Sequence, residues 1–560
     1  MAQTSKAFMN NFSIITARQE FTSLLEKILP RILTQVCRDP SNPSFGCFDR
    51  NWWHYRIRDF ASIIIQQGGY ATLKASEALK NEALIPTTFA KDIAKGSATF
   101  WNKRAKRFRA FEEYYPWECG YPPVAFSSLA VAKLVSEGIC PIEDVYEGLK
   151  KAAHQLINRF EPRAANQQVA GLAALACIKK VAPKLVSDRN FKRVAKKTLA
   201  LQSKEGWYME YDGPDVGYLS VALDCLWDII DSELSAEISE SIRASADKAL
   251  DFIYKTICHP KHGLGMFNAR NTDYVVPYGI IRYMRDGTTE QKQQAAAICN
   301  VLFTNMGNPN HFFNAVDDRY ICHYIGHSIA RGLIELNKLI VDEIQAAQIT
   351  ADISFPEANY IFISPAENTR ALVACNKGGV MRMLYPNGEV FNDFGWIVKQ
   401  GNKQFISHWW STKWESERIE ESDGTLITIK GKLFPHKEMD STPFKHMVLR
   451  GISLCLGKSI INMLKGVMIF KTKESPYGFE RRIKFNSNSI SITDTIDGLP
   501  DGNVEIIPAT RISKRHVASA DSYNLEDATL HTTGVEKDCN FGKNGSIFNA
   551  ITTYQLKSDK

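Results

Sequence analysis

From about residue 15 to 350 the apolar positions recur every three or four residues, in runs such as "FTSLLEKILPRILTQVC", "VYEGLKKAAHQLINRF", "VAGLAALACIKKVAPKL" and "VALDCLWDIIDSEL". The spacing predicts about ten to twelve helices in series, with Gly or Pro at many of their ends. After about residue 355 the texture changes to short alternating or β-branched runs: "ANYIFIS", "ALVACNKGGVMRML", "GTLITIKGKLF", "ERRIKFNSNSISITDTI". Period-two runs separated by NG, DG and KGG turns predict an antiparallel sheet or sandwich. The expected organisation is therefore a helical domain over residues 1–355 followed by an antiparallel β-sandwich domain over residues 356–560. Helical hairpins in series close into a ring or solenoid whose loops at one end line a groove. A sandwich over that end converts the groove into a cleft, a common place for a ligand.

Composition changes this picture little. The 560 residues hold 44% hydrophobic side chains, enough for large cores in two domains. An excess of 68 Lys+Arg over 61 Asp+Glu gives only +7, too weak a field for a dedicated nucleic-acid binder and better suited to an acidic substrate. Twelve cysteines are scattered singly with no CxxC pair, which reads as reduced thiols in a cytoplasmic protein. The first residues lack the apolar core of a signal peptide, in line with that location. No run reaches the length of a membrane span. The nearest, 451–471, is broken by Lys458 and Lys465 and reads first as a buried element with solvated lysines, second as a basic amphipathic contact with a membrane surface or another chain. The oligomeric state is left open.

The loops between helices are unusual. "FGCFDRNWWHYRIRDF" carries Trp52 and Trp53, "FEEYYPWECGYPP" carries Tyr115 and Trp117, and "HGLGMFNARNTDYVVPYG" carries Arg270 and Asn271. "DDRYICHYIGHSIARG" carries Arg319 and His323, and "EGWYMEYDGPDVGYLSVALDCLWDI" carries Tyr211 and Tyr218. Aromatic platforms interleaved with Arg, Asn and Asp suit sugar rings, which need stacking on an apolar face and hydrogen bonds to hydroxyls; Arg adds a two-pronged grip on a carboxylate or sulfate. Any one cluster is equally well explained by aromatics packed between helices. Glu210, Asp212 and Asp215 share one loop and are the residue type of a glycosidase pair. His323 and His327 stand four apart, but without an adjacent Glu or third ligand no metal is expected, and His436 and His446 give no ligand set for a structural metal in the β part. No GxGxxG, GxxxxGK[ST] or GxSxG motif is present, so no cofactor is expected.

Three motifs carry a resemblance. "PDVGYLSVALDCL" with Tyr218, "EPRAANQQVAGLAAL" with Asn166 lying 52 residues earlier, and "FGWIVKQGNKQFISHWW" with His408 resemble the heparinase II/III-like polysaccharide lyases. The resemblance implies an incomplete (α/α) toroid followed by an antiparallel β-sandwich. It also implies a chemistry that uses a helix-start Tyr, an earlier Asn or His and a His from a β-domain strand. Gln167 and Gln168 follow Asn166 where some relatives carry a His.

Such a trio has a physical purpose. The C5 proton of a uronate inside a polymer is weakly acidic, so its carboxylate must be neutralised as charge develops; Asn166, helped by Arg270 or Arg319, fits that role. A general base and a general acid must flank the ring. Tyr218 suits protonation of the leaving O4 and His408 suits proton removal, with Tyr218 able to serve both steps in some stereochemistries. The expected product is a 4,5-unsaturated uronate. A uronate C5-epimerase would use the same groups, and a non-catalytic glycan-binding protein would keep only the aromatic clusters. The missing export signal and the short β part suggest a role inside a capsule, O-antigen or exopolysaccharide pathway.

Overall fold

The computed structural model describes residues 11–49, 62–108, 110–113, 117, 119–232, 234–309, 311–366, 369–385, 390–436, 442–456, 474–502, 504–510, 512 and 537–556. The helices are α1 (Ile14–Thr34), α2 (Gly68–Leu79), α3 (Thr87–Ala105), α4 (Tyr121–Ser136), α5 (Ile142–Asn158), α6 (Ala165–Val181), α7 (Asp188–Leu199), α8 (Val216–Ile230), α9 (Ala236–Cys258), α10 (Tyr278–Asp286), α11 (Thr289–Leu302), the single turns α12 (Phe312–Ala315) and α13 (Asp318–Tyr320), and α14 (Gly326–Lys338).

They form two concentric layers, and the sequence texture explains which helix goes where. α6 is apolar all round and buries every side chain from Ala165 to Ile178, as an inner helix must. α7 is striped and buries only Phe191, Val194, Ala195 and Thr198, which suits an outer helix. The inner layer runs α2, α4, α6, α8, α10, α14, and α14 packs back against α2. The seam between α2 and α4 is filled largely by the short turn Ile64–Gln67 that precedes α2. Small residues permit the closest inner contacts: a Cβ on Gly171 of α6 would collide with the Tyr121 hydroxyl of α4.

β1 (Asn11–Ser13) pairs with β2 (Glu343–Gln345) and ties the start of the helical part to its end. A five-stranded antiparallel meander follows: β3 (Ile353–Phe355), β4 (Tyr360–Ile363), β5 (Arg370–Ala374), β6 (Val380–Leu384) and β7 (Val390–Asp393). Both of its faces are covered. Tyr360, Phe362, Leu372 and Ala374 join the helical core, while the alternate residues Ile361, Ile363, Ala371 and Val373 join the core between the sheets. β8 (Trp396–Gln400), β9 (Lys403–Ile406), β12 (Phe434–His436) and β15 (Glu505–Pro508) form a four-stranded sheet. β10 (Glu415–Glu421), β11 (Gly424–Lys432), β13 (Gly478–Asn486), β14 (Ser489–Asp497), β16 (Lys537–Asn544) and β17 (Ile547–Gln555) form a six-stranded one. Arg481 pins the sheets together, reaching Asp494 at 2.7 Å and Asp393 at 2.9 Å, while the Trp396 indole N–H donates to Asp494 at 2.7 Å.

Two expectations need correction. A helix, α15 (Pro443–Leu456), interrupts the β part between β12 and β13, because its apolar residues recur at helical rather than alternating spacing. The stretch 451–471 was expected to be buried. Its described portion, 451–456, lies in α15 with Leu454 and Leu456 exposed, next to exposed Phe444, Met447 and Val448; the remainder lies outside the described residues. No described helix is long and apolar enough to cross a membrane.

Candidate active site at the mouth of the helical ring

Tyr218 is the third residue of α8, and the start of that helix is fixed by Asp215. The Asp215 carboxylate accepts the Tyr218 backbone N–H at 3.1 Å through Oδ1 and, through Oδ2, the backbone N–H groups of Arg270 at 3.2 Å and Thr272 at 3.4 Å. A helix-capping carboxylate thus also holds the 268–272 loop. Asn268 reinforces the same joint by accepting the Val216 N–H at 3.0 Å. Only glycine fits at 217, where a Cβ would come within 2.5 Å of the Thr272 methyl and the Tyr274 carbonyl oxygen.

This joint gathers the charged and aromatic groups. The Arg270 guanidinium carbon lies 4.2 Å from the ring centres of both Tyr211 and Tyr218, and Arg270 Nη1 donates to Glu210 Oε2 at 3.3 Å. The other Glu210 oxygen accepts the Asn166 backbone N–H at 2.7 Å, which brings the start of α6 alongside. Asn166 Oδ1 and Arg270 Nε are buried with no hydrogen-bond partner. Buried polar atoms are nearly always satisfied, so this pair marks a place where a ligand group or water belongs. Burial pushes the Glu210 carboxyl up to about 8, against the pull of the Arg270 charge. It raises Asp215 to about 6, against the Tyr218 N–H and Arg270.

The tyrosine cluster extends inward. Tyr274 meets Tyr218 edge-on with ring centres 6.3 Å apart, and its hydroxyl is 2.5 Å from that of Tyr324. His323 packs 5.0 Å from Tyr320 inside an irregular turn, Ile321–Ile325, that precedes α14. Burial, then the charge of Arg319, depresses its imidazole to about 3.

The sheet side completes the site. His408 was expected within an alternating strand; it lies two residues beyond the end of β9, just past the Ser407 N–H that donates to the Trp396 carbonyl at 3.1 Å. Its Nδ1 lies 3.0 Å from the Phe394 carbonyl oxygen, so that nitrogen holds the proton and Nε2 carries the lone pair. Burial, then the charge of Lys377, lowers this imidazole to about 3, and it stays neutral. Lys377, in the turn between β5 and β6, is itself buried and donates to the Met266 carbonyl and to Asn271 Oδ1. Two residues past His408, the Trp410 indole donates to the Asp212 carbonyl at 3.3 Å. Both contacts join the sheets to the loops that flank Tyr218.

Tyr218, Asn166, Arg270 and Tyr211 thus assemble directly, and His408 and Asn271 join through Lys377. Arg319 instead reaches Asp49 at 3.8 Å, and Trp117 stands partly exposed at positive φ in the loop before α4. Trp52, Trp53 and Tyr115 lie outside the described residues. His327, four residues after His323, turns to Gln67, with Nε2 3.4 Å from its Oε1. Among the described residues no three His, Cys, Asp or Glu side chains gather as metal ligands. Lys377 was missed because "NKGG" reads only as a turn. The double glycine, both residues at positive φ, was the available sign of a close backbone approach.

This chain is a helical ring joined to stacked antiparallel sheets, with an acid-, arginine- and tyrosine-lined cluster at their junction. It is similar in architecture to heparinase III, at a TM-score of 0.47 and 9% identity over 100% of this chain and 88% of that one. A heparan sulfate lyase HepC mutant from Pedobacter heparinus aligns at a TM-score of 0.43 and 10% identity, over 96% of this chain and 83% of that one. The Streptomyces coelicolor A3 chondroitin AC lyase in complex with chondroitin sulphate aligns at 0.44 and 9%, over 97% and 80% respectively. No protein-family model and no curated protein matches the sequence. These are likenesses of whole-chain architecture; the residue roles proposed below rest on the geometry of this chain.

Proposed function

We propose that this chain is a lyase that cleaves an acidic, uronate-containing polysaccharide by β-elimination. In this reading Arg270 and the Asn166 amide hold the uronate carboxylate and stabilise the aci-carboxylate that forms as the C5 proton leaves. His408, neutral with its lone pair on Nε2, takes that proton. The electron pair of the C5–H bond becomes the C4–C5 double bond, the C4–O4 bond breaks, and Tyr218 gives its phenolic proton to O4.

The observation that carries the reading is Arg270 stacked at 4.2 Å on both Tyr211 and Tyr218, with its Nε–H buried and without an acceptor, a donor that an incoming carboxylate would satisfy. A guanidinium held there, with Glu210 protonated below about pH 8, has charge to offer an incoming carboxylate. Aromatic faces at the same point suit a sugar ring. The intended setting is the making or trimming of a cell-surface polysaccharide.

The test is absorbance of the unsaturated uronate while the protein is offered a panel of uronate polymers, with Tyr218→Phe in parallel. The reading expects a rise in wild type and a loss of roughly 10²- to 10⁴-fold in the variant, the usual contribution of a positioned proton donor. A flat trace with C5 exchange in deuterated water would replace the lyase by an epimerase. A flat trace without exchange would leave a binding protein.

A further inference from the structure

The far end of the ring holds a cavity that the proposed chemistry does not use. It encloses about 450 Å³ and is lined by residues of α2, α4, α6, α8, α10 and α14. Asp228, on its floor, lies ten residues beyond Tyr218 on α8, about 15 Å along the helix axis at 1.5 Å per residue. The cavity is therefore separate from the Tyr218 cluster.

Its lining is charged rather than apolar, with seven Lys and Arg side chains against five carboxylates. At the floor two cations share one carboxylate. Lys133 Nζ and Arg331 Nη2 each lie 2.5 Å from Asp228 Oδ1, and the three side chains are 12%, 7% and 4% exposed. Arg331 is also stacked 3.4 Å over the Tyr278 ring, and Lys133 lies 5.1 Å over Tyr70. The C-terminal ends of the surrounding helices attract cations through their carbonyl groups, which accounts for rim residues such as Lys180, bonded to the Asp231 carbonyl at 3.4 Å. It does not account for Lys133 and Arg331, which share Asp228; Asp224, one turn earlier on α8, also faces Arg331, but burial raises its carboxyl to about 7, so at and below that pH the two cations outnumber the charged carboxylates. A buried unbalanced charge is costly, and here it faces a space large enough for a counter-charge with a small organic body.

We propose that this cavity binds a small oxyanion, a phosphate, sulfate or carboxylate carried on a body no larger than a monosaccharide, through Lys133 and Arg331. The site stands whether or not the Tyr218 cluster is a lyase centre.

Lys133→Met tests it cleanly, because it leaves Arg331 and Asp228 as a one-to-one pair and so removes the excess charge without orphaning a partner. Calorimetric titration of the full chain with inorganic phosphate, and separately with glucuronate, at constant ionic strength should give saturable binding of at least one probe in wild type. Lys133→Met should weaken it at least tenfold while its unliganded melting temperature stays the same or rises. Should Lys133→Met not fold, Cys177→Asp takes its place: it puts a carboxylate on the cavity wall and should suppress binding of both probes, whereas Cys177→Ser should retain it. No saturable binding of either probe, or binding unchanged in Lys133→Met or Cys177→Asp, would overturn the proposal. Lys133 and Cys177 line this cavity and lie outside the Tyr218 cluster, so a loss of binding in Lys133→Met or Cys177→Asp separates this site from the proposed lyase centre.

Discussion

Lys377→Met removes the ammonium that bolts the sheets to the helical ring and keeps the side-chain length. Two acceptors lose their donor, the Met266 carbonyl and Asn271 Oδ1, both beside the loop that carries Arg270. A buried acceptor that loses its donor costs ~1–3 kcal/mol; Asn271 is buried and the Met266 carbonyl half-buried, so the pair costs toward the lower end of ~2–6 kcal/mol. Freeing a buried ammonium from its own desolvation offsets part of this, and a net loss of ~2–3 kcal/mol is expected. A second effect follows from the same charge. Burial, then Lys377, holds His408 down at about 3, so removing Lys377 should move the imidazole upward while burial keeps it below its ordinary value of 6.5. Urea unfolding should report the stability loss, and histidine NMR across a pH series should show the upward move. If the variant unfolds within ~0.5 kcal/mol of wild type, the spread expected of an ordinary surface change, or if His408 titrates unchanged, Lys377 neither joins the two parts nor tunes the imidazole.

Two further outcomes follow from the same site. Glu210 has its carboxyl raised to about 8 from 4.5, so the folded state holds its proton more tightly; that stability is fully present below pH 4.5 and is lost as pH rises through about 8. Glu210→Gln should flatten this part of the stability-versus-pH curve, and an unchanged curve in denaturant titrations between pH 5 and 9 would refute the assignment. Gly213→Ala would drive a methyl group into the Trp410 indole ring; overpacking of this kind costs ~1–3 kcal/mol, and the loosened Trp410 should show red-shifted fluorescence, which Gly213→Ala combined with Trp410→Leu should not add to.

The fold was legible because the two hydrophobic periods are unmixed: three-to-four spacing up to α14, then alternation from β3 onward. The double burial of the β3–β7 meander escaped the alternating reading, although "ANYIFIS" and "ALVAC" are apolar at consecutive positions, as a sheet covered on both faces requires. The helix start at Tyr218 could be read from "PDVGY", where Asp215 is the capping residue type. The pairing of Arg270 with Tyr218 could not, because it depends on one carboxylate collecting amides 55 and 57 residues away. Lys377 and the ending of β9 before His408 were hidden for a similar reason: each is set by contacts between the helical and sheet parts. α15 was missed because its apolar content was absorbed into the surrounding β reading.

The connection between β11 and β13 has a consequence for engineering. These two strands are adjacent antiparallel partners, Lys432 opposite Gly478, and Leu433 bonds back to Ser475 and Tyr477 at 2.9 and 3.0 Å. The chain therefore departs from the six-stranded sheet at Leu433 and is back beside that residue at Ser475, with β12 of the four-stranded sheet and α15 in between. Closing a chain over a gap that is already short costs little entropy, and the cost grows only slowly with what is inserted. The part after β12 is a cassette: α15 can be exchanged for a reporter or affinity module without breaking a rung of the six-stranded ladder or of the β9–β12 pair.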